Sequence, residues 1–328
     1  MKQRVAIVGA GVSGLTCGII FAEHGYRSAI FAQEIGQRTT SGAAGALWFP
    51  YDAEPVDKVI GWALETYQVI IDLSRDSHTG VSMLELRSFS RTGEISIPDW
   101  AIPLGAQAVT HNSPSVMSSK VERSLAGNFL GFKSGYVITV PLMDTTIYLD
   151  YIANRFVVAG GSIAADVHFE KLEDVDRKFD LVINCAGIGA RELVQDPDLE
   201  PHRGHVAVVP RIEALSCAVV CDDAPLMYAI PRTNDCVFGG TNDFSTDLAV
   251  DPATTDRIIA ECSRVLNIEK PNVLAERVGL RPFRKSGVRL EGDRLRDGRA
   301  AIHNYGHGGS GFTLSWGCAR DVLNLATL

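Results

Sequence analysis

The stretch Arg4-Val5-Ala6-Ile7-Val8-Gly9-Ala10-Gly11-Val12-Ser13-Gly14 decides the fold. Val5 to Val8 is an unbroken apolar run, as expected of a strand buried on both faces of a parallel sheet. The glycines at 9, 11 and 14 have the spacing of a dinucleotide fingerprint: one for a tight turn, one for close approach to a pyrophosphate, one for close helix packing. Leu15 to Glu23 reads as a helix stopped by His24-Gly25, and Tyr26 to Phe31 as the next strand. Glu34 lies about twenty residues past the last glycine, where an acid accepts hydrogen bonds from a ribose. Strand, turn, helix, strand and acid together predict a bound adenine dinucleotide seated on the helix N-terminus.

A second ligand seat lies near the other end. Ile302-His303-Asn304-Tyr305-Gly306-His307-Gly308-Gly309-Ser310-Gly311-Phe312-Thr313 sets four glycines around two histidines and runs into an apolar, helix-compatible segment. A helix starting after such a loop aims free N–H groups at whatever binds there.

Composition points to a soluble enzyme. A chain of 328 residues is long enough for two domains and a sizeable core. With 31 Lys and Arg against 39 Asp and Glu, the net charge of −8 argues against a nucleic-acid or membrane-surface partner. The 7 cysteines form no CxxC pair, which fits reduced thiols in a cytoplasmic protein better than disulfides or zinc. Cys217 and Cys221 read as core residues. The uncharged run Val5 to Ala22 has the length of a signal peptide or membrane span, but the fingerprint inside it explains the hydrophobicity, so no targeting segment is expected.

Further along, Arg38 to Tyr51 is a small-residue loop suited to wrapping a phosphate or a flat ring, with Thr40, Ser41, Ala46, Leu47 and Trp48 as candidate contacts. Asp57 to Ser77 has helical spacing, Ser82 to Phe89 and Glu94 to Ile97 alternate like strands, and Pro141 to Phe156 is helical in pattern. Ser162 to Phe169, which contains Val167, reads as a strand. Phe179 to Cys185 reads as a buried strand entering the glycine turn Ala186-Gly187-Ile188-Gly189. A β-rich block from His205 to Phe244 precedes a helix from Thr254 to Leu266. The expected organisation is discontinuous, with residues 1–47, 141–195 and 279–328 forming the nucleotide-binding domain and 48–140 and 196–278 a substrate domain.

These segments carry a resemblance. The N-terminal fingerprint, Ala44 to Tyr51, Asp180 to Gly187, Tyr228-Ala229-Ile230-Pro231, Gly279-Leu280-Arg281-Pro282 and His303 to Gly309 together resemble the D-amino acid oxidase and D-aspartate oxidase family, in the same order along nearly the whole chain. The His-Asn-Tyr-Gly segment is highly specific. The resemblance implies a non-covalent FAD, oxidation of a D-amino acid to an imino acid that yields a 2-oxo acid and ammonia, and reoxidation by dioxygen to hydrogen peroxide. The expected fold is α/β, a Rossmann-like FAD-binding domain with an inserted antiparallel β-rich substrate domain.

Flavin chemistry asks the protein mainly to hold the substrate Cα–H over the reactive ring and to exclude water. His303 and His307 are therefore expected to present backbone groups rather than act as bases, and no sequence motif pairs Cys185 or Ser310 with a base that would make it a nucleophile. A substrate carboxylate does need an anchor. Arg281 offers a planar fork of donors and matches the family's carboxylate-binding arginine. The resemblance also makes Tyr228 the carboxylate-contacting tyrosine. Gly309 completes the candidate catalytic set. The candidate cofactor contacts are Gly9 to Gly14, Glu34, Thr40, Ser41, Ala46 to Trp48, Val167, Ala186, Gly187 and Gly308 to Thr313, including Ser310, Gly311 and Phe312. Leu47, Phe49 and Tyr51 are the candidate walls of the substrate pocket.

There are departures from the mammalian pattern. A second, lid-borne tyrosine four residues before the position of Tyr228 is here Ala224, a glutamine near the flavin is here Phe49, and Gln33 precedes Glu34 where an aspartate aligns. Two related readings stay open, an amine oxidase acting on glycine, sarcosine or D-proline and a D-aspartate oxidase. A flavin-binding protein without turnover is a third. A homodimer is the candidate assembly.

Overall fold

The computed structural model describes residues 3–50, 53–109 and 132–327. Its first sheet is built on β1 (Arg4–Ala10), whose Val5, Ala6 and Ile7 are wholly buried, as the apolar run requires. Parallel partners flank it on both sides: β2 (Arg27–Ile35) then β6 (Ser162–Ala164), and β7 (Leu181–Asn184) then β15 (Ala300–Tyr305). An antiparallel edge strand, β14 (Arg289–Arg294), completes the order β14-β15-β7-β1-β2-β6.

Helix α1 (Val12–Glu23) is apolar on nearly every side because every side is covered. It packs between α3 (Thr145–Val158) and the C-terminal α5 (Gly311–Thr327), against which α2 (Val56–Leu73) also lies. Close approach to α2 explains Gly317: a Cβ there would sit 2.3 Å from the carbonyl oxygen of Trp62. Among the described residues no helix is long and apolar enough to cross a membrane.

The second sheet contains β3 (Val81–Ser90), β4 (Gln107–Val109), β5 (Ser134–Met143), β8 (Leu199–Pro210), β9 (Cys217–Cys221), β10 (Met227–Pro231), β11 (Asp235–Gly239) and β12 (Asp243–Phe244). Their order is β12-β8-β11-β10-β9-β3-β5-β4, with β13 (Ala275–Arg284) paired along β8. Every pair is antiparallel except β3 with β9, so the sheet is mixed. Helix α4 (Pro252–Leu266) covers one face; Asp251 caps its start through Ala253 N and Thr254 N, and Asn267 in the left-handed conformation ends it. Cys217, Cys221 and Cys262 are part of the core beneath it.

Two sequence expectations are corrected. Pro141 to Met143 extends β5, because Pro141, Leu142 and Met143 pair with β3, and the helix waits for Thr145, where Asp144 caps it through Thr146 N at 3.1 Å. Glu94 to Ile97 is not a strand; Ser134 instead pins it, its Oγ accepting from Ile95 N and donating to the Gly93 carbonyl. Within the second sheet, β5 runs to Met143 and β13 to Arg284.

Candidate functional site

The C-terminal ends of β1 and β7 and the N-terminus of α1 meet at the glycine turn. Gly9 has φ of 108°, and a Cβ on it would lie 2.3 Å from the Cys185 carbonyl oxygen of the adjoining strand. A Cβ on Gly14 would lie 2.0 Å from the Gly9 carbonyl oxygen, so this glycine sets helix packing and stays below the cavity surface. Gly11 differs: its backbone is extended at φ −74° and ψ −177°, and a Cβ there would point toward Ser41 Oγ at 3.0 Å. Ser41 Oγ accepts from Val12 N, linking the small-residue loop to the helix start.

One cavity of about 840 Å³ runs from this turn, past Glu34, Val167 and Gly187, to Gly308, Gly309 and Phe312, and on to Tyr228 and Arg281. The strand-end position and the turn suit a dinucleotide pyrophosphate, and the length of the cleft leaves room for a flat ring system beyond it. Donors, shape and volume therefore fit FAD. Ala46, at φ 52°, is a non-glycine residue in the left-handed region on the same wall.

Most of the expected contacts line this cavity: Gly9 to Ser13, Glu34, Thr40, Ser41, Ala46, Leu47, Phe49, Ala186, Gly187 and Gly311 join those just named. Three expected cofactor contacts have side chains that point away from the cavity. The Trp48 indole is turned into the core between Tyr67 and Trp100, and its Nε1 donates to the Ala63 carbonyl at 3.0 Å. Thr313 Oγ1 is spent on Phe49, accepting from its N and donating to its O, each at 3.0 Å. Ser310 is fully buried behind the turn, its N donating to the His307 carbonyl. Tyr51 lies outside the described residues. The Glu34 carboxylate, expected on a ribose, is held by Arg38 Nε at 2.7 Å on an exposed rim.

At the far end the second sheet presents Arg281 and Tyr228. Arg281 Nη1 donates to the Thr241 carbonyl at 3.0 Å and Asn242 Oδ1 at 3.2 Å. Among the described residues no carboxylate forms an ion pair with this guanidinium. Burial raises the Tyr228 phenol above its ordinary range, while the Arg281 charge and its hydrogen bond act in the opposite direction. Apolar walls come from Leu47, Phe49, Val220, Leu226 and Ile230. Arg232 does not enter. It is 4% exposed and clamped by both oxygens of Asp235 at 2.6 and 2.8 Å, and by Thr145 Oγ1.

Asn242 and Thr241 were not foreseen; the Gly239-Gly240 pair before them is the kind of signal that marks close backbone approach. Val220, Leu226 and Leu248 carry no such signal, being ordinary aliphatics at the cavity wall.

His307 lines the cavity, and its Nε2 donates to Asn304 Oδ1 at 3.1 Å, an arrangement that suits a neutral ring. Burial pushes its pKa down to about 4. The unfolded chain binds this proton at about 6.5, so the stabilisation is complete above that value and is lost as pH falls toward 4. Between pH 7 and pH 5 the FAD-saturated protein should lose about 2 kcal/mol of unfolding free energy to this group. Urea unfolding of wild type and His307→Gln at the two pH values isolates it, because His205 and His303, whose pKa values burial also lowers, are common to both proteins.

A family model described as FAD dependent oxidoreductase matches residues 4–325. The D-amino-acid oxidase of Rubrobacter xylanophilus is 37% identical over 332 aligned residues, covering 98% of this chain and 95% of that protein. That of Streptomyces coelicolor is also 37% identical, covering 99% and 97%. The D-aspartate oxidase of Homo sapiens is 29% identical, covering 99% and 94%. In fold, the glycine oxidase from Geobacillus kaustophilus has a TM-score of 0.80 at 18% identity, covering 99% of this chain and 95% of that one. Sheet, glycine turn and cleft are those of an FAD-dependent oxidoreductase. Within that class, the chain belongs to the D-amino acid oxidase and D-aspartate oxidase family.

Proposed function

We propose that this enzyme oxidatively deaminates neutral D-amino acids, with FAD as cofactor and dioxygen as electron acceptor. The observation that carries the reading is the guanidinium of Arg281, without a carboxylate partner among the described residues, beside Tyr228 in an apolar-walled cleft continuous with the dinucleotide turn. FAD, when bound, would supply the two-electron redox chemistry, with dioxygen as the final acceptor. The remaining work falls to the chain. Arg281 and Tyr228 fix the substrate carboxylate, the first through charge and paired N–H donors, the second through its hydroxyl. Thr241 O and Asn242 Oδ1 hold one end of the guanidinium, so its other donors are preorganised before substrate arrives. Leu47, Phe49 and Ile230 keep water from the reacting carbon, and Gly309, with no side chain, permits close approach. Burial lowers the proton affinity of His307 and its Nε2 is committed to Asn304 Oδ1, which make it a poor general base.

The same walls set the substrate range. A second carboxylate in this apolar pocket would lose hydration without gaining a cation, because Arg232 is committed to Asp235. The efficiency kcat/KM for D-alanine or D-methionine should exceed that for D-aspartate by about 30-fold or more. A clear preference for D-aspartate contradicts the neutral pocket and makes Arg232 the first residue to mutate. The seven cysteines are all free and buried, which supports residence in a reducing cytoplasm.

A further inference from the structure

Tyr228 and Arg281 belong to strands that are not neighbours. Between β10 and β13 lie β11 and β8, so three strand spacings, about 14 Å, separate the two backbones. Both side chains nevertheless line the same end of one cavity, and the Arg281 charge acts on the Tyr228 phenol. The strand register shows the path each side chain takes. Tyr228 pairs with Gly239, Gly239 with Val206, and Gly204, two residues before Val206, pairs with Gly279, two before Arg281. All of these positions share one sheet face, since directly paired and alternate residues point the same way.

On that face the two intervening strands carry glycine where the side chains cross them. A Cβ on Gly239 would lie 2.0 Å from Tyr228 Cζ and 2.4 Å from its hydroxyl oxygen. A Cβ on Gly204 would lie 2.7 Å from Arg281 Cζ and from Nη2. The phenol therefore lies flat over β11 and the guanidinium flat over β8. Neither glycine has a positive φ, so backbone conformation does not demand glycine at either position.

We propose that Gly204 and Gly239 are positioning residues for the carboxylate clamp. They keep open the two troughs through which Arg281 and Tyr228 reach each other across the sheet. This rests on the assignment of Arg281 and Tyr228 as the clamp. The groups in the way of an added methyl are the far ends of side chains, so an alanine should leave the fold intact and displace the clamp. A misplacement of about 1 Å at such a site costs on the order of 100-fold.

The test is benzoate, a carboxylate on an apolar body, titrated into flavin-loaded Gly204→Ala and Gly239→Ala and followed by the flavin absorbance. We expect Kd to rise about 10- to 100-fold in each, with flavin content and Tm near wild type. Gly292→Ala, whose Cβ meets nothing within 4 Å, serves as the control. Double-mutant cycles on kcat/KM for D-alanine then separate positioning from general damage. Gly204→Ala should have less than about a twofold effect in an Arg281→Met background, and Gly239→Ala likewise in Tyr228→Leu. Unchanged Kd in both single variants, the same fold-loss in the truncated backgrounds, or flavin loss in every background overturns the proposal. If Arg281→Met itself keeps its benzoate affinity, the clamp assignment fails instead.

Discussion

Replacing Arg281 by methionine should lower kcat/KM for D-alanine by about 30- to 5,000-fold, corresponding to roughly 2–5 kcal/mol for removing one member of a desolvated charge pair. Methionine has a similar reach along the trough over Gly204 and no charge. Flavin content should hardly change, because Arg281 lies at the substrate end of the cleft, away from the glycine turn. Thr241 O and Asn242 Oδ1 lose a donor, but both belong to the loop after β11 at the cavity wall, where water can replace it. Steady-state kinetics with the flavin-loaded variant measure the effect. Near-normal efficiency would show that the substrate carboxylate is anchored elsewhere.

Gly11→Val should abolish FAD binding while leaving the protein folded. The two halves of that expectation come from different observations. Gly11 is extended, a conformation valine adopts readily, so the backbone accepts the change. The side chain, however, starts 3.0 Å from Ser41 Oγ and grows into the space where the backbone should approach a pyrophosphate. Gly14→Val makes the opposite case: its Cβ would collide with the Gly9 carbonyl oxygen at 2.0 Å, and folding itself should fail. Gly11→Val should thus purify colourless with wild-type-like circular dichroism, and wild type should be yellow and release its flavin on acid precipitation. A yellow Gly11→Val protein contradicts the placement of the pyrophosphate, and flavin retained by the acid pellet contradicts non-covalent binding.

The nucleotide-binding sheet was legible wherever burial forces an unbroken apolar run. Val5 to Val8 and Leu181 to Ile183 are covered on both faces and could be read directly. Boundaries failed where one segment carries two signals. Apolar residues recur through both Thr139 to Met143 and Thr145 to Phe156, and only the Asp144 cap separates strand from helix. Glu94 to Ile97 alternates like a strand, yet Ser134 holds it as an irregular segment. The glycine turn at the end of β1 was similarly legible, while the side chains of Trp48 and Thr313, expected at the cofactor by sequence adjacency, lie elsewhere. Both are turned away because a large indole and a paired hydroxyl find better partners in the core. Arg281 could be singled out by its chemistry together with the family resemblance. The glycines beneath the clamp could not, because crossing two strands is a property of sheet order that no local pattern carries.

Turnover of neutral D-amino acids with dioxygen is the activity expected of this cleft. Hydrogen peroxide formation by the purified, FAD-saturated protein, measured in parallel on the D- and L-forms of alanine, methionine and aspartate with glycine, sarcosine and D-proline alongside, tests it most directly. Peroxide should form from D-alanine and D-methionine, little from D-aspartate and none from the L-forms. Peroxide from the L-forms, from glycine or sarcosine in preference to D-alanine, or from no substrate in the panel would contradict it.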